Sequence, residues 1–381
     1  MLSTWKSSSN TANAAKKIIV ARKEDPQPGS YPLSDPVPAV KTVATEDDIK
    51  WRCLASGSTE TMTFYMTLDD GTMAFVQMAY SSLGLSPNVG LTCRFYQPDG
   101  QKHGKTFNQS AGALKLSNNN LDASCEPMSI QFDTATRRFT VRFTLSSAIS
   151  MHVTFTPCVD FFKIGDGKSL FGKSERDGFV QACFLPKATL SGTVTVAGVA
   201  RPATGSGLFH HAIQMKPQNA SKWNFVNFQN ATDALMLYEF EVPAKNMSDV
   251  NIVSQGCFVH KGRLIAVTTS NRAVHVQRLK DEASGYEYPS QLFISWNGTR
   301  LDDGADVKIE LSMLLGNKLD TIDVLAELPY LLRKFIQTFI TAPFLFSWFE
   351  KGVKAKVSIS GEEDMHIDGD AFVESTFLCK E

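Results

Sequence analysis

The chain has 381 residues and a formal net charge of −1, so it carries no overall positive charge that would attract nucleic acid. Its hydrophobic content of 43% is sufficient for complete cores, and its length predicts two domains. The 26 phenylalanines and recurrent threonine-rich alternation favour a mainly β-sheet protein. The seven cysteines are scattered and never spaced as CxxC, which predicts reduced thiols in a cytosolic protein.

Residues 1–20 form an amphipathic pattern when they are wound as a helix. They lack the unbroken apolar core of a secretory signal and the length of a membrane span. A disordered tail remains the alternative. We expect a helix that lies on a membrane surface and inserts its apolar face between lipids. That face consists of Met1, Leu2, Trp5, Ala12, Ala15 and Ile19. Because Leu2 disfavours removal of Met1, we also expect Met1 to be acetylated.

Residues 21–44 contain closely spaced prolines and are predicted to form an extended linker. From Thr61 onward, apolar residues alternate with polar ones. The run "TMTFYMTL", the turn Asp69–Gly71 and the run "TMAFVQMAY" predict a β-hairpin. The same alternation recurs in "RFTVRFTL", "ISMHVTFT", "DVKIELSM" and "VKAKVSIS". Many short antiparallel strands are typical of sandwiches and barrels.

A weak internal repeat predicts two related β-domains. "TFYMTLDDGTMAFVQMAY" and "WNFVNFQNATDALMLYEF" both place a polar turn between two aromatic-rich strands. The Gly/Pro-containing stretch 198–205 predicts domains at 45–200 and 201–381. Residues 317–350 have helical spacing and predict a helical insertion in the second domain. The insertion would either pack against the sheet or form a lid with Phe335, Phe339, Phe344 and Phe346.

No complete catalytic or metal-binding motif is present in the sequence. "IGDGKSLFG" has Phe162 where a P-loop needs its first glycine, and GxSxG and HExxH are missing. His210 and His211 are adjacent, so on a strand they would point to opposite faces. A structural role, an acid/base role and a metal-ligand role remain open for them. The acidic stretch 361–370 is predicted to be an exposed turn between strands and not a carboxylate site. We therefore expect no catalytic residue, metal or cofactor.

Aromatic residues on the predicted strands could line a ligand cavity, because a large antiparallel barrel can enclose one. Most of these residues would instead belong to the core. The candidates for such a pocket, including polar residues that could bind a head group, are Phe64, Phe75, His210, His211, Gln214, Trp223, Asn224, Phe225 and Phe228.

Three stretches are similar to the fungal survival-factor-one family: "TEDDIKW…GSTETMTFYMTLDDGTMAFVQMAYSSLGL", "KIGDGKSLFG" and "MKPQNASKWNFVNFQ". The resemblance extends from about residue 45 to the end. It implies two lipocalin-like antiparallel β-barrels in tandem, related in fold to bacterial carotenoid hydratases.

The same resemblance implies a function as a monomeric, cytoplasmic carrier of ceramide or a related sphingolipid. Such a protein would bind endoplasmic reticulum and cis-Golgi membranes peripherally and would support survival under oxidative stress, and a nuclear pool is also expected. Nucleic acid is not an expected partner. Two alternatives remain: a hydratase-like enzyme that acts on an apolar lipid, and a non-catalytic stress scaffold.

Overall fold

A computed structural model describes residues 18–20, 40–83, 86–243, 250–325 and 343–378. Two antiparallel sheets account for most of this structure, and the helical elements are short: α1 (Glu46–Ile49) and 3₁₀ turns at Ala111–Ala113, Glu175–Asp177 and Pro217–Asn219. The strands of the first half are β1 (Ile18–Val20), β2 (Lys41–Val43), β3 (Ser58–Leu68), β4 (Met73–Ser81), β5 (Asn88–Tyr96), β6 (Lys102–Ser110), β7 (Lys115–Ser117), β8 (Asp122–Cys125), β9 (Met128–Asp133), β10 (Arg138–Ser146), β11 (Ile149–Pro157), β12 (Phe162–Ile164), β13 (Lys168–Leu170), β14 (Phe179–Val196), β15 (Val199–Pro202) and β16 (Gly205–Met215). Those of the second half are β17 (Lys222–Gln229), β18 (Ala234–Pro243), β19 (Val250–His260), β20 (Arg263–Lys280), β21 (Glu287–Arg300), β22 (Asp306–Leu314), β23 (Lys318–Asp323), β24 (Phe344–Ile359) and β25 (Met365–Phe377).

The second sheet closes into an eight-stranded barrel. Its strands follow the order β20-β19-β18-β17-β25-β24-β22-β21, and β21 pairs back with β20. Strand β23 pairs with β24, and β1 pairs with β20. An antiparallel ring of eight strands is the lipocalin architecture.

The first sheet, built from β2 to β16, is an open half-barrel with β6 and β7 at the ends of its main path. Phe64 on β3 and Phe139 on β10 are separated by three intervening strands, which would place them about 19 Å apart in a flat sheet. Their ring centroids are only 5.2 Å apart, so the sheet curls around its inner face. Fully buried rings fill this inner face: Phe64, Phe139, Phe155, Phe161 and Phe209.

The predicted fold class and the first hairpin are confirmed. Strands β3 and β4 pair around the Asp69–Gly71 turn, and Gly71 adopts a positive φ of 83° that a turn of this kind needs. The internal repeat also has a structural counterpart. Each of the two hairpins, β3–β4 and β17–β18, pairs through its first strand with the last strand of its sheet, β16 or β25.

The junction between the sheets lies later in the chain than residue 200. Strands β15 and β16 complete the first sheet, and the main part of the second begins at Lys222. The stretch 198–205 contains the end of the β14–β15 turn, strand β15 and the link to β16. Ala197 and Gly198 form that turn and have positive φ angles. The glycine and proline signal therefore marks turns inside one sheet.

The predicted helical insertion 317–350 is wrong at both of its ends. Residues Lys318–Asp323 and Phe344–Ile359 form strands, so Phe344 and Phe346 lie on β24. The run "FLFSWF" is uniformly apolar and fits both periodicities, and its aromatic residues favour a strand. Phe335 and Phe339 fall within 326–342, outside the described residues.

The last residues of the predicted surface helix also form a strand. Ile18–Val20 pair with β20, as their β-branched side chains favour, so Ile19 is not helical. Met1, Leu2, Trp5, Ala12 and Ala15 lie outside the described residues, and so do residues 21–39 of the linker. The end of the linker is not extended coil, because Lys41–Val43 join the first sheet as β2. In the described ranges, no helix has the length and hydrophobicity needed to cross a bilayer.

The two sheets pack against each other through their outward-facing side chains. Tyr65 stacks on Phe225 of the second sheet at 4.7 Å, and its hydroxyl donates a hydrogen bond to Glu374 at 3.0 Å. A buried cation, Lys187, donates to Gln229 and to the Asn230 carbonyl, again across the contact. The contact is therefore a core of its own, rich in aromatic rings.

Candidate functional site

One end of the second barrel, which we call the mouth, gathers the ends of strands that are distant in sequence. The strand register places Lys222 opposite both Glu241 and Phe377, and Phe344 also opposite Phe377. At the same end, Lys280 lies opposite Glu287. The mouth is defined by Lys222, Val242, Lys280, Glu287, Leu314, Phe344 and Phe377.

The opposite half of the barrel interior is filled by apolar side chains. Trp296 is fully buried there, and its indole N–H donates to the Met236 carbonyl at 2.9 Å. Its neighbours in this buried cluster are Val226, Phe228, Leu235, Leu237, Ile309 and Val357. The buried polar side chains of the barrel interior lie in the other half, next to the mouth.

The mouth half has a polar wall on β17, β18, β20 and β25. Side chains two residues apart on a strand point to the same side, so Asn224, two residues before the inward Val226, and Glu239, two residues after the inward Leu237, also point inward. Asn224 donates through its amide nitrogen to Glu239 at 3.1 Å. We call this group, together with its neighbours, the polar wall: Lys222, Asn224, Glu239, Glu241, Arg272, His275 and Ser375.

The charges of the polar wall balance. Arg272 donates to Glu239 at 2.8 Å and to Glu241 at 3.0 Å, and Lys222 lies 3.1 Å from Glu241. Burial would raise the pKa of Glu241, but Lys222 and Arg272 outweigh burial and lower it. Burial raises the pKa of Glu239 despite the opposing effect of Arg272. Two cations facing two carboxylates give a wall with no strong net charge.

His275 carries a buried hydrogen-bond acceptor in this half of the barrel. Its Nε2 lies 2.9 Å from the amide oxygen of Asn224, which also accepts from the Ser375 hydroxyl. Because an amide oxygen only accepts, Nε2 must carry the proton. Burial, and then the positive charges of Lys222, Arg278 and Arg272, hold the pKa of His275 well below its usual value, so the ring is neutral. Its Nδ1 is thus a buried lone pair with no hydrogen-bond partner in the described part of the chain.

An aromatic wall faces the polar wall. The rings of Tyr286 and Phe377 are 5.2 Å apart, and those of Tyr288 and Phe346 are 5.1 Å apart. Phe377 also contacts the His275 ring at 6.0 Å, which joins the two walls. Lys318 extends its ammonium over the rings of Tyr288 and Phe346. The interior of the mouth half is therefore amphipathic.

The nine residues predicted for one pocket lie in three different places. Phe64 and His211 face the inside of the first sheet, and Phe228 and Asn224 face the inside of the barrel. The others lie in the contact between the sheets: Phe75, His210, Gln214, Trp223 and Phe225. Of the nine, the structure places Asn224 in the polar wall.

His210 and His211 point to opposite faces of β16, as the sequence predicts. His210 lies between the rings of Phe184 and Phe225, at 5.4 and 6.1 Å. Burial, and secondarily the neighbouring His211, lowers the pKa of His210 to about 3. His211 directs Nδ1 to the Asp48 carbonyl at 2.8 Å and Nε2 to Glu60 at 2.9 Å. Both nitrogens of His211 are therefore committed to the protein.

Sequence reasoning missed most of the polar wall, although one local signal was present. In "LMLYEFEV", Glu239 and Glu241 alternate with apolar residues and share the inward parity of Leu235 and Leu237. Charged residues at the inward positions of a buried strand predict buried partners. Arg272, His275 and Ser375 are too far along the chain for any spacing rule to connect them to these carboxylates. In the described ranges, no three metal-binding side chains come together.

Solved structures with the same architecture include kievitone hydratase from Nectria haematococca and a complex of CghA with Sch210972. The hydratase has a TM-score of 0.54 and 13% identity over 91% of this chain and 98% of its own. The CghA complex has a TM-score of 0.56 and 11% identity over 91% of this chain and 96% of its own. At these identities the likeness establishes the fold alone.

Sequence relatives identify the family. The ceramide-binding protein svf1 of Emericella nidulans is 29% identical over 98% of this chain and 99% of its own. The protein of the same name from Schizosaccharomyces pombe is 27% identical over 87% of this chain and 88% of its own. The Svf1 family model matches residues 3–379. Because this match spans nearly the whole sequence, the chain belongs to the Svf1 family.

Proposed function

We propose that this protein binds ceramide in the mouth half of its second barrel and carries it, as a monomer, between endoplasmic reticulum and Golgi membranes. The names of its relatives supply the ligand class. The observation that carries the site is the buried Nδ1 of His275, an acceptor in the mouth half of the barrel without a hydrogen-bond partner among the described residues.

The chemistry of ceramide matches the two walls. Its head group is uncharged and has two hydroxyls and an amide, so it needs donors and acceptors without a net charge. The charge-balanced polar wall meets that need, and Nδ1 of His275 can accept from a hydroxyl or an amide N–H. The aromatic wall would shield the first part of the hydrocarbon chains, where each buried CH₂ is worth about 0.8 kcal/mol.

The hydratase alternative has no comparable support from the two histidines that suggested it. An acid or base must reach the substrate, and His211 directs both nitrogens to Asp48 and Glu60. His210 lies between two phenylalanine rings inside the contact of the sheets.

In our proposal the first sheet, whose inner face is filled, supports the second and holds no lipid. Cytoplasmic localisation and a role in oxidative-stress survival belong to the same proposal.

Ceramide loading tests the site. Glutamine at position 275 keeps a donor where Nε2 meets Asn224 but lacks the Nδ1 acceptor. We expect His275→Gln to reduce the ceramide recovered with the purified protein by about five- to tenfold, as for one lost hydrogen bond. Lipid extraction and mass spectrometry measure this loss. His366→Gln, at an exposed position at the other end of the barrel, is the control and should retain full loading. Wild-type protein without ceramide above an unrelated control protein would refute the proposal.

A second experiment tests membrane attachment through the N-terminal segment. Trp5→Asp places a carboxylate on the predicted apolar face and should lower the membrane-bound fraction roughly tenfold in a flotation assay. Asn10→Asp adds the same charge on the predicted polar face and should leave that fraction unchanged. An equal loss in both variants would contradict insertion through Trp5 and would favour a purely electrostatic attachment.

A further inference from the structure

Strand β20 separates from β19 in the mouth half of the barrel. The ladder between them runs from the pair His260–Arg263 to the pair Gly256–Thr268. Beyond Thr268, β20 continues to Lys280 with β21 along its opposite edge. The β19 side of β20 thus has no ladder with β19 over the residues that carry Arg272 and His275.

Among the described hydrogen bonds, those that connect the two strands at this point involve the side chains of Ser254 and Asn271. The Ser254 hydroxyl donates to the Thr269 carbonyl at 2.8 Å, and the side-chain amide of Asn271 lies 3.2 Å from the same hydroxyl. We call the separation between Val253–Gln255 on β19 and Asn271–Val276 on β20 the seam. The seam is a break in the backbone ladder of the barrel wall beside the polar wall, and buried side chains close it, among them Arg272 through its bonds to Glu239 and Glu241.

The N-terminal strand β1 closes the outer end of the seam. Its register pairs Ile18 with Leu279, Ile19 with Arg278 and Val20 with Gln277. A strand has only two edges, and β21 occupies one edge of β20 over this stretch. Strand β1 therefore takes the edge from which β19 has departed.

We infer that β1 is a detachable seal, whose release lets ceramide enter and leave the barrel sideways through the seam. The inference rests on the proposed ceramide site. A ladder of three residues is short, and an edge strand can be exchanged for solvent or another partner more easily than an internal one. Strand β1 also follows directly on the predicted membrane-surface segment, so insertion of that segment would act on β1 without a partner protein.

Cross-linking tests the seal. The pairs Ile19→Cys/Arg278→Cys and Val20→Cys/Gln277→Cys place cysteines directly opposite each other. Successive antiparallel pairs alternate between Cα separations of about 5.5 and 4.5 Å, and both lie within the range that a disulfide spans. The variants are made with Cys158→Ser, because Cys158 is exposed. Each single cysteine variant serves as a control for oxidation alone.

The full-length protein is loaded with fluorescent ceramide before oxidation and mixed with phosphatidylcholine–phosphatidylserine vesicles. We expect oxidation to slow transfer by at least about tenfold in the double variants, and reduction to restore it. Vesicle binding, measured by flotation, should be unchanged. A disulfide confirmed by mass spectrometry that leaves the transfer rate unaltered would overturn the seal.

Hydrogen exchange gives a second readout that does not depend on ceramide. Amide protection in β1 and in Gln277–Leu279 should fall when vesicles are added to the wild-type protein, and should persist in the oxidised double variants. Unchanged protection in the membrane-bound wild type would also overturn the seal. If the wild type takes up no ceramide but loses this protection, the proposed ligand is wrong and the release of β1 stands.

Discussion

Replacing Arg272 with methionine should lower the free energy of unfolding by about 3–5 kcal/mol, the usual cost of leaving buried charges without their partner. Arg272 donates to both Glu239 and Glu241, and both carboxylates are buried. In the variant, Lys222 would still face Glu241, whereas Glu239 would lose the cation beside it. Urea denaturation followed by circular dichroism measures the change.

A matched control compares the loss of a buried ion pair with the loss of an exposed one. Arg263 forms an exposed pair with Asp302, so Arg263→Met should cost less than about 1 kcal/mol. The double variant Arg272→Met/Glu239→Gln removes the orphaned charge and should recover part of the lost stability. If Arg272→Met costs no more than Arg263→Met, the ion cluster does not stabilise the polar wall as we describe.

The parts of the fold that could be predicted are those that neighbouring residues determine. The first hairpin follows from alternation and an Asp-Gly turn, both contained within Thr61–Tyr80. In "RFTVRFTL", Phe139, Val141 and Phe143 alternate with polar residues and are fully buried. Period-two patterning in a half-buried strand is sufficient to fix its element type and its inward face.

The sequence could not predict how the sheets close. Phe64 matches the pattern of a cavity-lining residue as well as that of a core residue, and only the curling of the first sheet brings it against Phe139 and Phe209. Phe75 and Phe225 face outward on their strands, where solvent exposure would be the default, and are buried because the sheets pack on each other. Contacts of this kind depend on the register of strands that are far apart in sequence.

The two helical predictions are wrong, for a related reason, at the ends that the structure describes. Ile18–Val20 are compatible with an amphipathic helix when read alone, but the edge left free on β20 gives them a ladder. Residues Phe344–Phe349 have no polar positions except Ser347 to distinguish a period of two from a period of 3.6. Tertiary pairing decides the structure where local patterns are ambiguous.

Replacing Glu374 with glutamine should stabilise the protein at high pH. Glu374 lies in the contact between the sheets and accepts a hydrogen bond from Tyr65. Burial raises its pKa from 4.5 to about 7, although the hydrogen bond from Tyr65 opposes the shift. Ser347 lies directly opposite Glu374 on β24, and its hydroxyl is buried without a hydrogen-bond partner in the described residues. A glutamine could accept from Tyr65 and donate to Ser347.

The sign of the effect follows from proton linkage. Below about pH 4.5 the carboxyl is protonated in both the folded and the unfolded chain, so it has no pH-dependent effect on stability. Between about pH 4.5 and 7 the unfolded chain loses this proton first, and the free energy of unfolding falls as the pH rises. Above about pH 7 the loss is complete and amounts to about 3 kcal/mol. Glu374→Gln should therefore gain about 3 kcal/mol near pH 8 relative to its effect near pH 4.

The difference between wild type and variant isolates Glu374 from other groups. His210 acts in the opposite direction, because its pKa is lowered to about 3 and the fold loses stability as the pH falls through the window between about 6.5 and 3. That contribution is common to both proteins and cancels in the difference. Glu363→Gln, at an exposed position, should change stability little at any pH. Equal stabilisation by Glu374→Gln near pH 4 and pH 8 would show that the carboxyl is not held neutral by its burial, and the contact between the sheets would then have to admit solvent at Tyr65.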